Sequence, residues 1–173
     1  AGVDIYGVNA EVMPSQWEFQ TTANEPLKAA DDLWVARYIL ERLGENYGCS
    51  ISYAPKPLTG EWNGAGCHTN FSTQPMRENW EAIETAIERL RARHEVHMLC
   101  YGAENEKRLT GDCETSDLTK FTVGERDRSC SIRIPASVAR DKKGYIEDRR
   151  PGANIDPYRV CTRILKSVCL DQD

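Results

Sequence analysis

The residues best equipped for chemistry in this chain sit at alternating positions on short extended segments. Asn9, Glu11 and Met13 share one face of a segment that breaks at Pro14, and Gln16, Glu18 and Gln20 share a face of the segment that follows. After a glycine-rich turn, Gly60 to Gly66, the same alternation sets His68, Asn70 and Ser72 together. Further on it groups Ser131 with Arg133, and Tyr145 with Glu147 and Arg149. Any one of these faces is explained by an antiparallel sheet that is wet on one side. Together they gather three glutamates, one histidine, two arginines and several neutral hydrogen-bonding groups. Carboxylate oxygens suit hard divalent cations, and an imidazole nitrogen is accepted by Mn²⁺ more readily than by Ca²⁺. Arginine forks match phosphate or carboxylate. The set describes metal-assisted handling of phosphate.

The elements that must position these groups can be sketched from periodicity. A helix is predicted from Asp31 to Leu43, with Leu33, Ala36, Leu40 and Leu43 on its inner face and Gly44 as its cap. Ile51 to Tyr53 reads as a short strand. A longer helix is predicted from Glu78 to Leu99, its stripe running through Ile83, Ile87 and Leu90 to His94 and His97. That stripe makes both histidines packed core residues rather than metal ligands. The stretch from Gly102 to Arg126 is polar, aperiodic and long enough to be a functional loop. Strands are expected at Ser131 to Ile134 and Tyr145 to Arg149. A last helix runs from Asp156 to Leu170 with Ile164, Leu165 and Val168 inward.

Several classes are disfavoured. A net charge of −5 leaves no basic excess for nucleic acid, and no apolar run approaches the ~20 residues of a membrane span. Seven cysteines, an odd number with no C-x-x-C pair, read as free thiols in a reducing, cytoplasmic setting. No Walker loop, nucleophile elbow or dinucleotide fingerprint is present. Gly64 and Gly66 are expected to let the backbone approach a small ligand closely. With 173 residues and no shift in composition, one domain over 1–173 is expected.

Four motifs add a resemblance. Asn9 to Pro14 with Gln16-Trp17-Glu18-Phe19, Asn63-Gly64-Ala65-Gly66 with His68, Arg108-Leu109-Thr110-Gly111 with Glu114-Thr115, and Tyr145 through Pro151 together resemble glutamine synthetase of the eukaryotic type. The resemblance runs in order along nearly the whole chain. It implies an α+β fold, a curved antiparallel sheet flanked by helices as in the glutamine synthetase and guanido kinase catalytic domains. It also implies an ATP-dependent ligase that joins glutamate and ammonia through γ-glutamyl phosphate, with two or more Mg²⁺ or Mn²⁺ ions per site, in a ring-shaped homo-oligomer. By position, Glu11 and Glu18 resemble ligands of one metal, and His68 and Glu147 of another. Asn70, Ser72 and Tyr145 resemble nucleotide contacts. Arg128 and Arg133 resemble the arginines on the transferring phosphoryl group, with Arg128 also near the substrate. Asn63, Gly64, Arg108 and Arg149 resemble the glutamate clamp, and Glu114 the acid of a closing flap. Family members are longer. They carry an N-terminal β-grasp domain, and a strand with two more metal-binding glutamates, ahead of the region matched here. The resemblance therefore implies the C-terminal portion of a catalytic domain, with little activity expected of these residues alone. A non-catalytic protein built on the same scaffold is the alternative.

Overall fold

A computed structural model describes all of residues 1–173 as a mixed α/β structure with two small sheets and five α-helices. The first sheet is a hairpin of β1 (Ile5–Ala10) and β2 (Trp17–Thr21), with Asn9 opposite Glu18. Glu11 lies just beyond the end of β1, in the turn around Pro14, rather than on a strand of its own. The second sheet has the order β3-β6-β5-β4, built from β3 (Thr69–Phe71), β4 (Val123–Glu125), β5 (Ile132–Ile134) and β6 (Ile146–Asp148). Its β3-β6 and β5-β6 pairs are antiparallel, but β4 runs parallel to β5, which departs from the wholly antiparallel expectation. The strands are shorter than the alternation suggested, because only their middles find ladder partners.

Helix α1 spans Pro26–Tyr47, well beyond the predicted Asp31 to Leu43. Pro26 supplies a preset φ at its start, and Gly48, at φ 63°, supplies the left-handed cap expected of Gly44. Gly44 is instead buried within the helix, where a Cβ would stand 2.7 Å from the Cys49 carbonyl oxygen. Leu43, expected inside, is exposed. Ile51 to Tyr53 forms no strand; Pro55 and Pro57 follow, and Tyr53 donates its hydroxyl proton to the Arg37 carbonyl of α1.

The predicted helix from Glu78 to Leu99 is two helices, α2 (Trp80–Ala92) and α3 (His94–Met98). Asn79 caps α2 by accepting from the Ala82 amide. Arg93 leaves helical geometry at φ −115° and ψ 21°, which re-aims the chain so that His97 turns fully inward. A short helix that the periodicity did not reveal, α4 (Ala136–Asp141), follows β5. The last helix, α5 (Pro157–Cys169), begins as expected, with Asp156 accepting from the Tyr158 and Arg159 amides.

The core lies between the four-stranded sheet and helices α2 and α5. Ile83, Ile87 and Leu90 meet Ile132, Ile134 and Ile146 from the sheet, and Val160, Ile164 and Val168 from α5. Each fully buried aliphatic side chain contributes about 1.5–3 kcal/mol. With Asp148 and Ile132 facing this core, period two sends Glu147, Arg133 and Asn70 to the opposite face, where the register aligns them across β6, β5 and β3. All seven cysteines are free thiols. No helix is long and apolar enough to cross a membrane.

Candidate active site

Glu147 is the centre of the polar face. Its Oε1 lies 3.2 Å from Nδ1 of His68 and accepts from NH1 of Arg149 at 2.8 Å. Its Oε2 stands 2.5 Å from Nε of Arg133, but without hydrogen-bond geometry, so both atoms are buried without a hydrogen-bond partner. Burial alone would raise the carboxyl pKa. The His68 hydrogen bond and the guanidiniums of Arg149 and Arg133 outweigh it and hold Glu147 below the usual carboxylate range.

His68 is pushed the other way. Burial lowers its pKa, Arg149 and Arg108 add to that, and the Glu147 hydrogen bond opposes them. The ring is therefore neutral near pH 7. Its pull on Glu147 is that of an N–H donor, and the two arginines supply the full positive charges. NH2 of Arg108 is 3.3 Å from His68 Nε2. That makes Nε2 the acceptor and puts the proton on Nδ1, toward Glu147.

Arg108 is buried, and its guanidinium donates to the main-chain carbonyls of Arg149 and Arg150. Burial and the neighbouring Arg149 lower its pKa to about 10. The Thr115 hydroxyl in turn lies within donating distance of the Arg108 and Asp112 carbonyls. Arg108 thus fixes the end of β6 and the His68 ring together. The glycine-rich turn makes this possible. A Cβ on Gly64 would meet Arg108 Cγ and the Pro55 carbonyl oxygen at 2.6 Å, and one on Gly66 would meet Arg108 NH2 at 2.5 Å and His68 Nε2 at 2.9 Å. These glycines make room for Arg108 and His68.

The long polar stretch folds over this centre. It contains β4 and a 3-10 turn, Asn105–Lys107, and it carries Glu114 on a left-handed backbone, with Cys113 and Glu114 at φ 51° and 59°. Asn63 Nδ2 donates to Glu114 Oε2 at 3.4 Å, and Arg128 NH1 lies 3.6 Å from Glu114 Oε1. Arg149 touches the Glu114 carbonyl at 3.5 Å and the Arg128 carbonyl at 3.1 Å. One chain of contacts therefore joins Asn63, His68, Arg108, Glu114, Arg128, Arg133, Glu147 and Arg149.

The remaining candidates lie around it. Asn70 is directly across the ladder from Glu147 and exposed. Ser72 accepts from Arg77, a residue the alternation did not single out. Tyr145 is exposed at the start of β6. Glu11 and Glu18 belong to the hairpin, where Glu11 accepts from Asn9, and Glu18 from Gln20 at 2.5 Å. The hairpin reaches the glycine turn through Gln16 Nε2, which donates to the Gly64 carbonyl at 3.2 Å.

The donor chemistry suits divalent cations. His68 faces Glu147 through Nδ1, which would ligate only after giving up its proton, Glu147 offers a carboxylate already ion-paired with arginine, and Glu11 and Glu18 offer carboxylate oxygens. Each is a two-residue set, and no group of three or more His, Cys, Asp or Glu side chains converges.

His94 and His97 are structural, as the apolar stripe implied. His97 is fully buried, between the Tyr101 hydroxyl at 2.6 Å and the Ser167 hydroxyl at 2.8 Å. His94 meets the Leu118 carbonyl and NH1 of Arg150.

Comparison with known proteins identifies the family. The profile of the glutamine synthetase catalytic domain matches residues 1–170. Glutamine synthetase of Debaryomyces hansenii is 54% identical over 171 residues, covering 98% of this chain and 46% of that protein. That of Agaricus bisporus is 53% identical, over 99% of this chain and 49% of its own length. Glutamine synthetase 1, mitochondrial, of Drosophila melanogaster is 52% identical, over 99% and 44%. The chain spans about half the length of these relatives. It belongs to the glutamine synthetase catalytic-domain family.

Proposed function

We propose that this member of the glutamine synthetase family supplies the catalytic-domain site of an ATP-dependent glutamate–ammonia ligase. The observation that carries the reading is Glu147, a buried carboxylate shared by His68, Arg133 and Arg149 and left with one oxygen lacking a hydrogen-bond partner. One N–H donor and two guanidiniums gathered on one buried carboxylate make a face that suits an anionic substrate with a cation beside it.

In this reading His68 and Glu147 hold one Mg²⁺ or Mn²⁺, and Glu11 and Glu18 hold another. When bound, the ions neutralise phosphate charge. Asn70, Ser72 and Tyr145 contact the nucleotide. A γ-carboxylate oxygen of glutamate attacks the terminal phosphorus of ATP, and ADP leaves. Arg133 and Arg128 face the charge that spreads over the transferring phosphoryl oxygens. Asn63, Gly64 and Arg149 hold glutamate, and Arg108 positions His68 and Arg149 rather than reaching substrate with its whole fork. Glu114, on the segment over the site, takes the proton that ammonium must lose. Ammonia then attacks the acyl carbon, and the C–O bond to phosphate breaks. The closed segment excludes water, which would otherwise hydrolyse the acyl phosphate.

With two candidate ligands per cation, the 173 residues alone are expected to turn over little, and the activity to belong to a longer polypeptide in a homo-oligomeric ring. The free thiols support a reducing compartment such as the cytoplasm. The test replaces ammonia with hydroxylamine, alongside glutamate, ATP and Mn²⁺. The longer polypeptide should form γ-glutamyl hydroxamate and the 173 residues almost none. Absence of product from both would remove the ligase reading, and robust turnover by the 173 residues alone would remove the need for added ligands.

A further inference from the structure

Away from this site, α5 turns a second polar face outward. Arg159, Arg163 and Lys166 follow one another at steps of four and three, so all three lie on one side of the helix. Like charges at those spacings repel, and none of the three is paired with a carboxylate. The acids of the C-terminal tail go elsewhere: Asp171 to Arg89 and Arg93, and Asp173 to Arg93. In a chain of net charge −5, an unpaired cationic stripe calls for an explanation.

The stripe forms the floor of a groove of about 450 Å³. Its other wall is apolar, made by Val96 and Leu99 at the end of α3 and by the ring of Tyr158. Leu99 is 81% exposed, an unusual position for a leucine beside a charged floor. No acidic side chain lines the groove. Arg163 is the fixed point. It is only 9% exposed, one of its terminal nitrogens donates to the Gln172 carbonyl, and its Nε is buried with no hydrogen-bond partner. The Gln172 carbonyl holds this guanidinium in place, while Arg159 and Lys166 stay exposed beside it.

We propose that this groove binds a small organic phosphate. The phosphoryl group sits among Arg159, Arg163 and Lys166, and an apolar body lies against Val96, Leu99 and the Tyr158 ring. Phosphate is the anion that fits. Three cationic residues line one groove with no acid among them, and a dianion with three free oxygens can meet more than one of them, whereas a carboxylate engages one fork. The groove shares no residue with the Glu147 site, so this assignment stands or falls independently of the ligase reading.

The test titrates isotope-labelled protein with phenyl phosphate, inorganic phosphate and benzoate, and follows backbone amide shifts. Phenyl phosphate should shift Val96, Leu99 and residues 158–166 together in one saturable event. Inorganic phosphate and benzoate should each bind about tenfold more weakly or worse. The double variant Arg159→Glu with Lys166→Glu changes two exposed positions, so its fold, checked by circular dichroism, should persist while affinity falls by at least about tenfold. Shifts confined to the Glu147 face, or binding that survives the double variant, would overturn the proposal. Benzoate binding as tightly as phenyl phosphate would overturn the choice of phosphate.

Discussion

Glu147 and Asp148 are neighbours on β6, both buried, both paired with arginine, and they serve opposite ends. Asp148 faces the core and is fully engaged. It meets Arg150 through both oxygens, at 2.9 and 2.6 Å, and accepts from the Tyr101 hydroxyl at 2.8 Å. Tyr101 then meets His97, which meets Ser167. Glu147 faces the opposite side of the sheet, and one of its oxygens has close charged company but no hydrogen bond. The same chemistry is closed on one face and open on the other. A closed buried ion pair specifies structure, and an open one is poised to accept a ligand.

The largest effect should come from breaking the closed side. Asp148→Ala leaves Arg150, which is wholly buried, without its counter-charge, and should destabilise the protein by about 3–5 kcal/mol in denaturant unfolding. Glu147→Gln should do the reverse. Its stability loss should stay within about 1–3 kcal/mol, while ligase turnover by the longer polypeptide falls about 10²–10³-fold. Equal stability losses in the two variants would erase the distinction between the faces.

Much of this was legible before the fold was known. Alternation placed His68, Asn70, Arg133, Glu147 and Arg149 on polar faces, and the register confirms three of them side by side across the sheet. The helical stripe correctly made His97 a core residue, whereas His94 is half-buried and hydrogen-bonded at the core's edge. Arg108 was harder to read. Its role depends on the space left by Gly64 and Gly66, some forty residues earlier in the chain, and no local pattern encodes that. The break at Arg93 was hidden because apolar spacing continues through it to His97. The closed network around Asp148 escaped notice because Asp148 reads as the out-of-phase partner of a polar strand.

The closed side should also govern pH dependence. Burial, with Arg150 nearby, depresses His97 to about 3. The unfolded chain binds this proton near pH 6.5 and the folded chain does not. The contribution is therefore complete above pH 6.5 and is lost as pH falls toward 3, with a slope of up to about 1.4 kcal/mol per pH unit. His97→Gln should flatten that window in unfolding midpoints measured from pH 7 to pH 4, although the variant itself is less stable. An unchanged slope would place the titration elsewhere.

A smaller effect tests how the open side is held. Gly66→Ala puts a methyl group against Arg108 and His68, and should cost about 1–3 kcal/mol and lower Mn²⁺ affinity. A variant with unchanged unfolding and metal titration would show that Arg108 yields freely. The smallest effect is expected on the hairpin. Trp17 is 68% exposed, and Trp17→Ser should change stability by no more than about 0.5 kcal/mol. A larger loss by thermal unfolding would mean that the hairpin is packed more firmly than its exposure indicates.

The central claim is that the open side of β6 serves phosphoryl transfer to a carboxylate. Glutamate labelled with ¹⁸O in its γ-carboxylate, incubated with ATP, ammonium, Mg²⁺ and the longer polypeptide containing this chain, tests it directly by mass spectrometry of the released phosphate. An acyl phosphate path moves one glutamate oxygen into that phosphate, so each molecule should carry a single ¹⁸O, and Glu147→Gln should slow its appearance about 10²–10³-fold. Unlabelled phosphate, or labelled phosphate formed at the same rate without Glu147, would contradict the account.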